Sequence, residues 1–217
     1  LVSHTVALRR SVDPGSARRI ARAVRPAGHR RRDGAVVECR QRGFVSTLMG
    51  RCRAIEGVRP VPPGLRETKT GALDTDELPR KARPDKIPSL KPAFTQDGTV
   101  TAANASAISD GAAALVLMRR GDAEKQGRKI IATIVSQSSH AQEPSKFTSA
   151  PVPAIQKALA RAEWKTKDVD LWEINEAFAI VPMIAMKELG ISHDIINVNG
   201  GACALGHPIG ASGARIL

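Results

Sequence analysis

Apolar and polar positions fall in a pattern that changes along the chain. Between Pro153 and Glu163, Ile155 and Leu159 stand four apart with Ala162 following, which predicts an amphipathic helix. Ala177–Leu189 is strongly apolar and predicts a second, more deeply packed helix. Apolar runs at Ala113–Met118 and Lys129–Ser136 predict buried strands, and Asp170–Ile174 and Ile195–Val198 predict short ones. Between the first two runs, Arg120-Gly121-Asp122 reads as a turn followed by a short charged helix. Another helix is expected from Asp110, after the polar, small-residue stretch Thr99–Ser106. Asp74–Pro92 is charged and punctuated by Pro79, Pro84, Pro88 and Pro92, so it predicts a loop that resists helix. The alternation of helices and strands predicts an α/β fold, and no internal repeat is visible.

The first 68 residues follow no such pattern. Arginines cluster at Arg9-Arg10, Arg18-Arg19 and Arg30-Arg31-Arg32, and Pro26, Pro60, Pro62 and Pro63 interrupt any long element. Ser16–Val24 has the spacing of a short basic helix, with too thin an apolar face to fix it to a core; Phe44-Val45 with Leu48-Met49 is an equally short apolar cluster. The net charge of +12 is concentrated here. This third holds fifteen Arg, no Lys and five acidic residues, a balance of +10, against +2 for the remainder. Three readings stay open for residues 1–68: a solvated basic tail, a nucleic-acid-binding arm, or a GC-rich stretch translated out of frame. No Tyr or Trp is present there to stack bases, so nucleic acid is not an expected partner.

With no run of eighteen apolar residues, a membrane span is not expected. No secretory signal is recognised, and three cysteines without ligand spacing argue against a disulfide framework or a metal site. A reducing cytoplasm is the expected compartment.

Three stretches carry candidate chemistry. In Asn199–Arg215, glycines and alanines flank His207 closely, which lets backbone approach a ligand and holds the imidazole on a tight turn stiffened by Pro208. Gly210-Ala211-Ser212 can open a helix there. In Trp172–Ala179, a strand delivers Asn175 and Glu176 at its carboxyl end, where open α/β sheets place ligands; Asn175 alone also reads as a helix cap. Asp97–Ser106 offers small side chains and hydroxyls suited to an extended polar ligand, or to a plain loop capping the next helix. Cys203, four residues before His207, invites a nucleophile reading, which the family resemblance given below replaces with that of a packing cysteine. His140 is left open between a ligand-pocket residue and an ordinary surface or core histidine.

From about Lys69 onward these stretches resemble the thiolase family, in its acetyl-CoA C-acetyltransferase branch. Asn-Glu-Ala-Phe followed at this interval by Gly-His-Pro carries the likeness; Pro208 separates it from the carrier-protein synthases that share the fold. The resemblance implies a partial thiolase-like α/β fold, with residues 69–128 as the end of the loop domain and of the N-terminal half, and 129–217 as a truncated C-terminal domain. It implies His207 and Asn175 as catalytic positions, His207 activating a nucleophilic cysteine and Asn175 positioning an oxyanion-hole water. It implies Ser106 on the pantetheine arm with Ala102 beside it, and Ala177, Phe178, Ser212 and His140 near CoA or acyl group. No cofactor is implied beyond the coenzyme A thioester as substrate, and the family's usual assembly is a homo-oligomer. Neither family cysteine is recognised: Cys39 and Cys52 lack the expected context, and the Cys-x-Gly-Gly segment is absent. The chain is therefore expected to be inactive alone, or to be a non-catalytic remnant keeping part of a CoA or dimer surface.

Overall fold

The computed structural model describes residues 2–11, 67–68, 71–72 and 77–217. The helix expected at Ser16–Val24 and the Phe44–Met49 cluster lie outside them. Strand β1 is Val2–Ser11; β2 (Glu67–Thr68) and β3 (Gly71–Ala72) form a two-residue ribbon. Helix α1 is Glu77–Lys81, α2 is Arg120–Lys125, and β4 is Ala132–Gln142. Then come α3 (Pro151–Ala162), α4 (Ile180–Leu189), α5 (Ala202–Leu205) and α6 (Ser212–Ile216).

β1 pairs antiparallel with β4, from Val2 opposite Gln142 to Ser11 opposite Ala132, with a register shift between Leu8 and Arg9. Helix α3 lies along β4 and is stitched to it by serines. Ser136 donates to the Ala158 carbonyl at 2.7 Å and Ser138 to the Ala154 carbonyl at 2.5 Å. Two strand residues span about 6.8 Å and four helix residues about 6 Å, so hydroxyls two apart meet carbonyls four apart in an antiparallel alignment. Ser138 is buried, and this bond is what satisfies it.

The core lies between α3 and α4. Val152, Ile155, Ala158 and Leu159 of α3 pack with Val181 and Ala185 of α4 and with Trp172, Ile174, Ile191 and Ile196. α3 starts on Pro151, where a missing N–H costs nothing, and stops at Glu163, which turns left-handed at φ 58°. α4 begins at Ile180 rather than at Ala177. A helix started at Ala177 would require an N–H from Pro182 to the Phe178 carbonyl, so Pro182 must fall in the first turn. The same rule explains α1, where Pro79 occupies the first turn, and the 3₁₀ turn Pro84–Ser89 that opens on a proline; the proline-rich loop is partly helical.

Several expected elements differ. No helix starts at Asp110, and Arg120-Gly121-Asp122 is the opening of α2 rather than a turn before it. Ala113–Met118 forms no strand and is not buried: Val116 and Leu117 are 66% and 67% exposed. The strand expected at Lys129–Ser136 runs instead over Ala132–Gln142, and Ile131, Ile134 and Val135 are exposed. Apolar runs report a need for a covering surface, and the described residues leave one open. Leu115–Met118, Ile130–Ile134, Ile216 and Leu217 line a cleft of about 1020 Å³. Asp170–Ile174 and Ile195–Val198 contract to a single parallel bridge between Trp172 and Ile196, with Trp172 donating to Ile195 and Asn197 to Trp172, both at 2.8 Å. That bridge positions the site, because it brings the two segments out of the core side by side. Among the described residues no helix is long and apolar enough to cross a membrane, and no group of three or more metal-ligating side chains occurs.

Candidate active site

Beyond the bridge the two segments diverge into the Asn175 turn and the loop carrying His207, and their side chains meet. Asn175 Nδ2 lies 3.4 Å from His207 Nε2. A third segment braces both. Ala179 donates to the Asn104 carbonyl at 2.9 Å, Ser106 N–H donates to the Ala177 carbonyl at 3.1 Å, and His207 N–H donates to the Ala107 carbonyl at 3.0 Å. Residues 104–108 thus bond to the Asn175 turn on one side and to His207 on the other. Gly206, at φ 85°, permits this approach, since a Cβ there would stand 2.1 Å from Ser109 Oγ. Asn175 caps no helix, because α4 starts five residues later with Ala179 at its cap position.

The hydrogen bonds fix the imidazole. In the tautomer with its proton on Nδ1, His207 donates to Ser212 Oγ at 2.6 Å, and Ser212 donates its own proton to the Pro208 carbonyl at 3.2 Å. The Nε2 lone pair then faces the Asn175 amide. Burial, and secondly the positive charge of Arg215, push the His207 pKa below its usual 6.5, which keeps the ring neutral at pH 7. A neutral imidazole with its lone pair on Nε2 can accept a proton. The ring's titration midpoint, followed by NMR of its Cε1–H, is expected below 6.5, and Arg215→Gln is expected to raise it. The folded value lies below the unfolded one, so the unfolded chain takes up this proton first. The associated stability is present above pH 6.5 and declines as pH falls through the folded pKa.

Sequence reasoning missed Asn197, and it placed Glu176 beside Asn175 at the strand end without foreseeing that its side chain is buried. Glu176 is 1% exposed. Its carboxylate accepts from Asn197 Nδ2 at 2.8 Å and from the Cys203 N–H at 3.1 Å. Asn197, also buried, accepts from Ile174 N–H at 2.8 Å and donates to the Ile174 carbonyl at 2.9 Å. It sits at φ 46°, a left-handed conformation that Asn tolerates better than most residues. The available signal was an acidic residue directly after Asn175, at the point where the chain enters the apolar run from Ala177.

The remaining expected positions fall in three places. Ser106 Oγ donates to the Ala177 carbonyl at 3.0 Å, which leaves its lone pairs as acceptors. Phe178 stacks edge-on with Phe94 (centroids 6.3 Å apart) and Phe147 (5.8 Å), two aromatics not singled out from the sequence. Ala102 is exposed, and Ala177, the residue before Phe178, is half-buried. Ser212 is 6% exposed, contacts Nδ1 of the His207 ring on the side away from Asn175, and also borders the cleft. His140, on β4, receives a bond from Lys157 Nζ at 3.1 Å and meets Gln142 Oε1 at 3.2 Å, so both ring nitrogens are occupied. Cys203 donates its thiol to the Glu176 carbonyl at 3.7 Å; burial, then the Glu176 charge and bond, hold that thiol protonated far above its usual range. A thiol so held is no nucleophile, consistent with packing.

An α/β core with an asparagine and a neutral histidine joined where its segments emerge defines a partial thiolase-like fold. The thiolase N-terminal domain model matches residues 57–121 and the thiolase C-terminal domain model matches 128–217, the first starting ahead of Lys69. The chain belongs to the thiolase family. It is 51% identical over 164 residues to the cytosolic acetyl-CoA acetyltransferase of Mus musculus, covering 73% of this chain and 41% of that protein. The crystal structure of the Bacillus anthracis acetyl-CoA acetyltransferase superposes with a TM-score of 0.66 at 44% identity, over 72% of this chain and 40% of that one. A thiolase from Ascaris suum in complex with coenzyme A superposes with a TM-score of 0.55 at 38% identity, over 66% of this chain and 38% of that one. The chain spans 37% to 48% of the length of the curated relatives compared with it.

Proposed function

We propose that this chain carries part of a thiolase acyl-CoA site, with His207 and Asn175 in catalytic positions, and that the 217 residues alone bind coenzyme A without turning it over. The observation that carries the reading is the 3.4 Å contact between Asn175 Nδ2 and His207 Nε2. In the reaction proposed, formation or thiolytic cleavage of acetoacetyl-CoA, charge develops on a thioester oxygen. Asn175 Nδ2–H is a donor held ready for it, directly or through a water, and such donors contribute about 2.7–4 kcal/mol each. His207 Nε2 would take the proton of an attacking thiol, with Ser212 holding the ring. The lone pairs of Ser106 suit an amide N–H of a pantetheine arm, and Phe178, Phe94 and Phe147 supply an apolar wall beside it. In this reading residues 69–128 and 129–217 are the two family portions, the intact enzyme is a homo-oligomer, and the compartment is cytoplasmic, as the name of the mouse relative suggests.

What limits the chain is the thiol. Cys203 is held protonated against Glu176, and Cys39 and Cys52 lie outside the described residues. Purified chain mixed with acetoacetyl-CoA and CoA is expected to give no thiolysis. Turnover abolished by His207→Ala would overturn that. Calorimetry against CoA is expected to show binding, weakened by Ser106→Ala by about 1 kcal/mol, roughly fivefold. No heat at millimolar CoA leaves the second reading, a remnant without a CoA surface.

A further inference from the structure

Glu176 takes no part in the chemistry described above, yet among the described residues it is the largest side chain buried below 2% exposure. Its two carboxylate oxygens join the two halves of the site. Oε1 accepts from Asn197, which stands at the root of the Gly-rich loop, and Oε2 accepts from the Cys203 N–H, inside that loop. Its own backbone is the residue after Asn175. Gly201 of the same loop closes over the carboxylate so tightly that a Cβ there would stand 1.9 Å from Cδ.

We propose that Glu176 is a positioning residue that sets the separation of Asn175 and His207 by pinning the turn of one to the loop of the other. Its consequence for catalysis rests on the acyl-CoA reading of that pair; the geometric claim does not. The bonding pattern requires a carboxylate. The Ile174 N–H and carbonyl fix which way the Asn197 amide points, so Nδ2 must face Glu176. The Cys203 N–H cannot reverse at all. Both oxygens of residue 176 must accept, and glutamine would set its own NH₂ against one of these donors.

The test is NMR on the labelled full chain, with no ligand present. In the native chain the Cys203 amide is expected downfield and slow to exchange, as a buried donor to a carboxylate. Glu176→Gln is expected to speed that exchange by at least about tenfold, and to move the His207 Nε2 resonance and titration midpoint. Ile155→Val, a core variant on α3, should lower stability without moving either His207 signal, which separates positioning from a general loss of stability. A folded Glu176→Gln chain with unchanged His207 signals overturns the proposal. If Glu176→Gln does not fold, Glu176→Asp decides, since it keeps the charge but withdraws it by one methylene. Shifted His207 signals in Glu176→Asp support the proposal; unchanged ones, or a native Cys203 amide exchanging as an exposed one, overturn it. Because CoA is absent throughout, failure to bind CoA sinks the functional reading and leaves this result standing.

Discussion

Gly201→Ala is expected to cost at least about 3 kcal/mol of folding stability, read as the urea midpoint of tryptophan fluorescence. Gly201 has φ −103°, which any residue adopts, so backbone freedom is not the reason. The reason is space. An added Cβ would lie 1.9, 2.0 and 2.1 Å from Cδ, Oε1 and Oε2 of Glu176, so the carboxylate must leave its donors or the loop must lift. Overpacking alone costs about 1–3 kcal/mol, and uncoupling a buried charge from its partners about 3–5. Against a total of about 5–15 kcal/mol the substitution threatens folding itself. Gly210→Ala, nine residues on, is the matched control. Nothing lies within 4 Å of a Cβ there, and a change within about 0.5 kcal/mol is expected. Equal midpoints for the two variants would show that Glu176 has room to yield.

Asn197→Ala is expected to cost about 3–5 kcal/mol by the same assay. The substitution strands the Ile174 N–H and carbonyl and removes one of two donors to a buried carboxylate. It also sets alanine at φ 46°, which costs about 1–2 kcal/mol by itself. Asn197→Gly removes the same bonds without the left-handed penalty, so it should fall short of Asn197→Ala by roughly that amount. A loss below about 1 kcal/mol in both variants would mean that the loops are held by something other than this amide.

Local chemistry explains which elements could be read in advance. The helix at Pro151–Ala162 was legible because spacing, an opening proline and a polar outer face all agree. The start of α4 was misplaced by three residues, although Pro182 contained the correction. The buried strand expected at Ala113–Met118 failed for a different reason. Its apolar residues record a need for burial, and the sequence does not say which surface meets it; among the described residues they face an open cleft. His207 and Asn175 could be nominated from their motifs. Their contact could not be derived, since 32 residues separate them along the chain. Nor could the roles of Ser212, behind the imidazole, or of Ser106, whose proton goes to Ala177.

By itself the sequence determined the family, the α/β character, and two loops rich in glycine and small residues that carry an asparagine and a histidine. Those are properties of residue type and spacing, which act within a few positions along the chain. Tertiary structure alone decided that the buried Glu176 carboxylate accepts from Asn197 and from the Cys203 N–H, and that burial beside it keeps the Cys203 thiol protonated. It also decided that His207 Nε2 faces Asn175. Each of those outcomes depends on desolvation and on hydrogen bonds of fixed direction between segments distant in sequence, and neither exists until the chain has closed on itself.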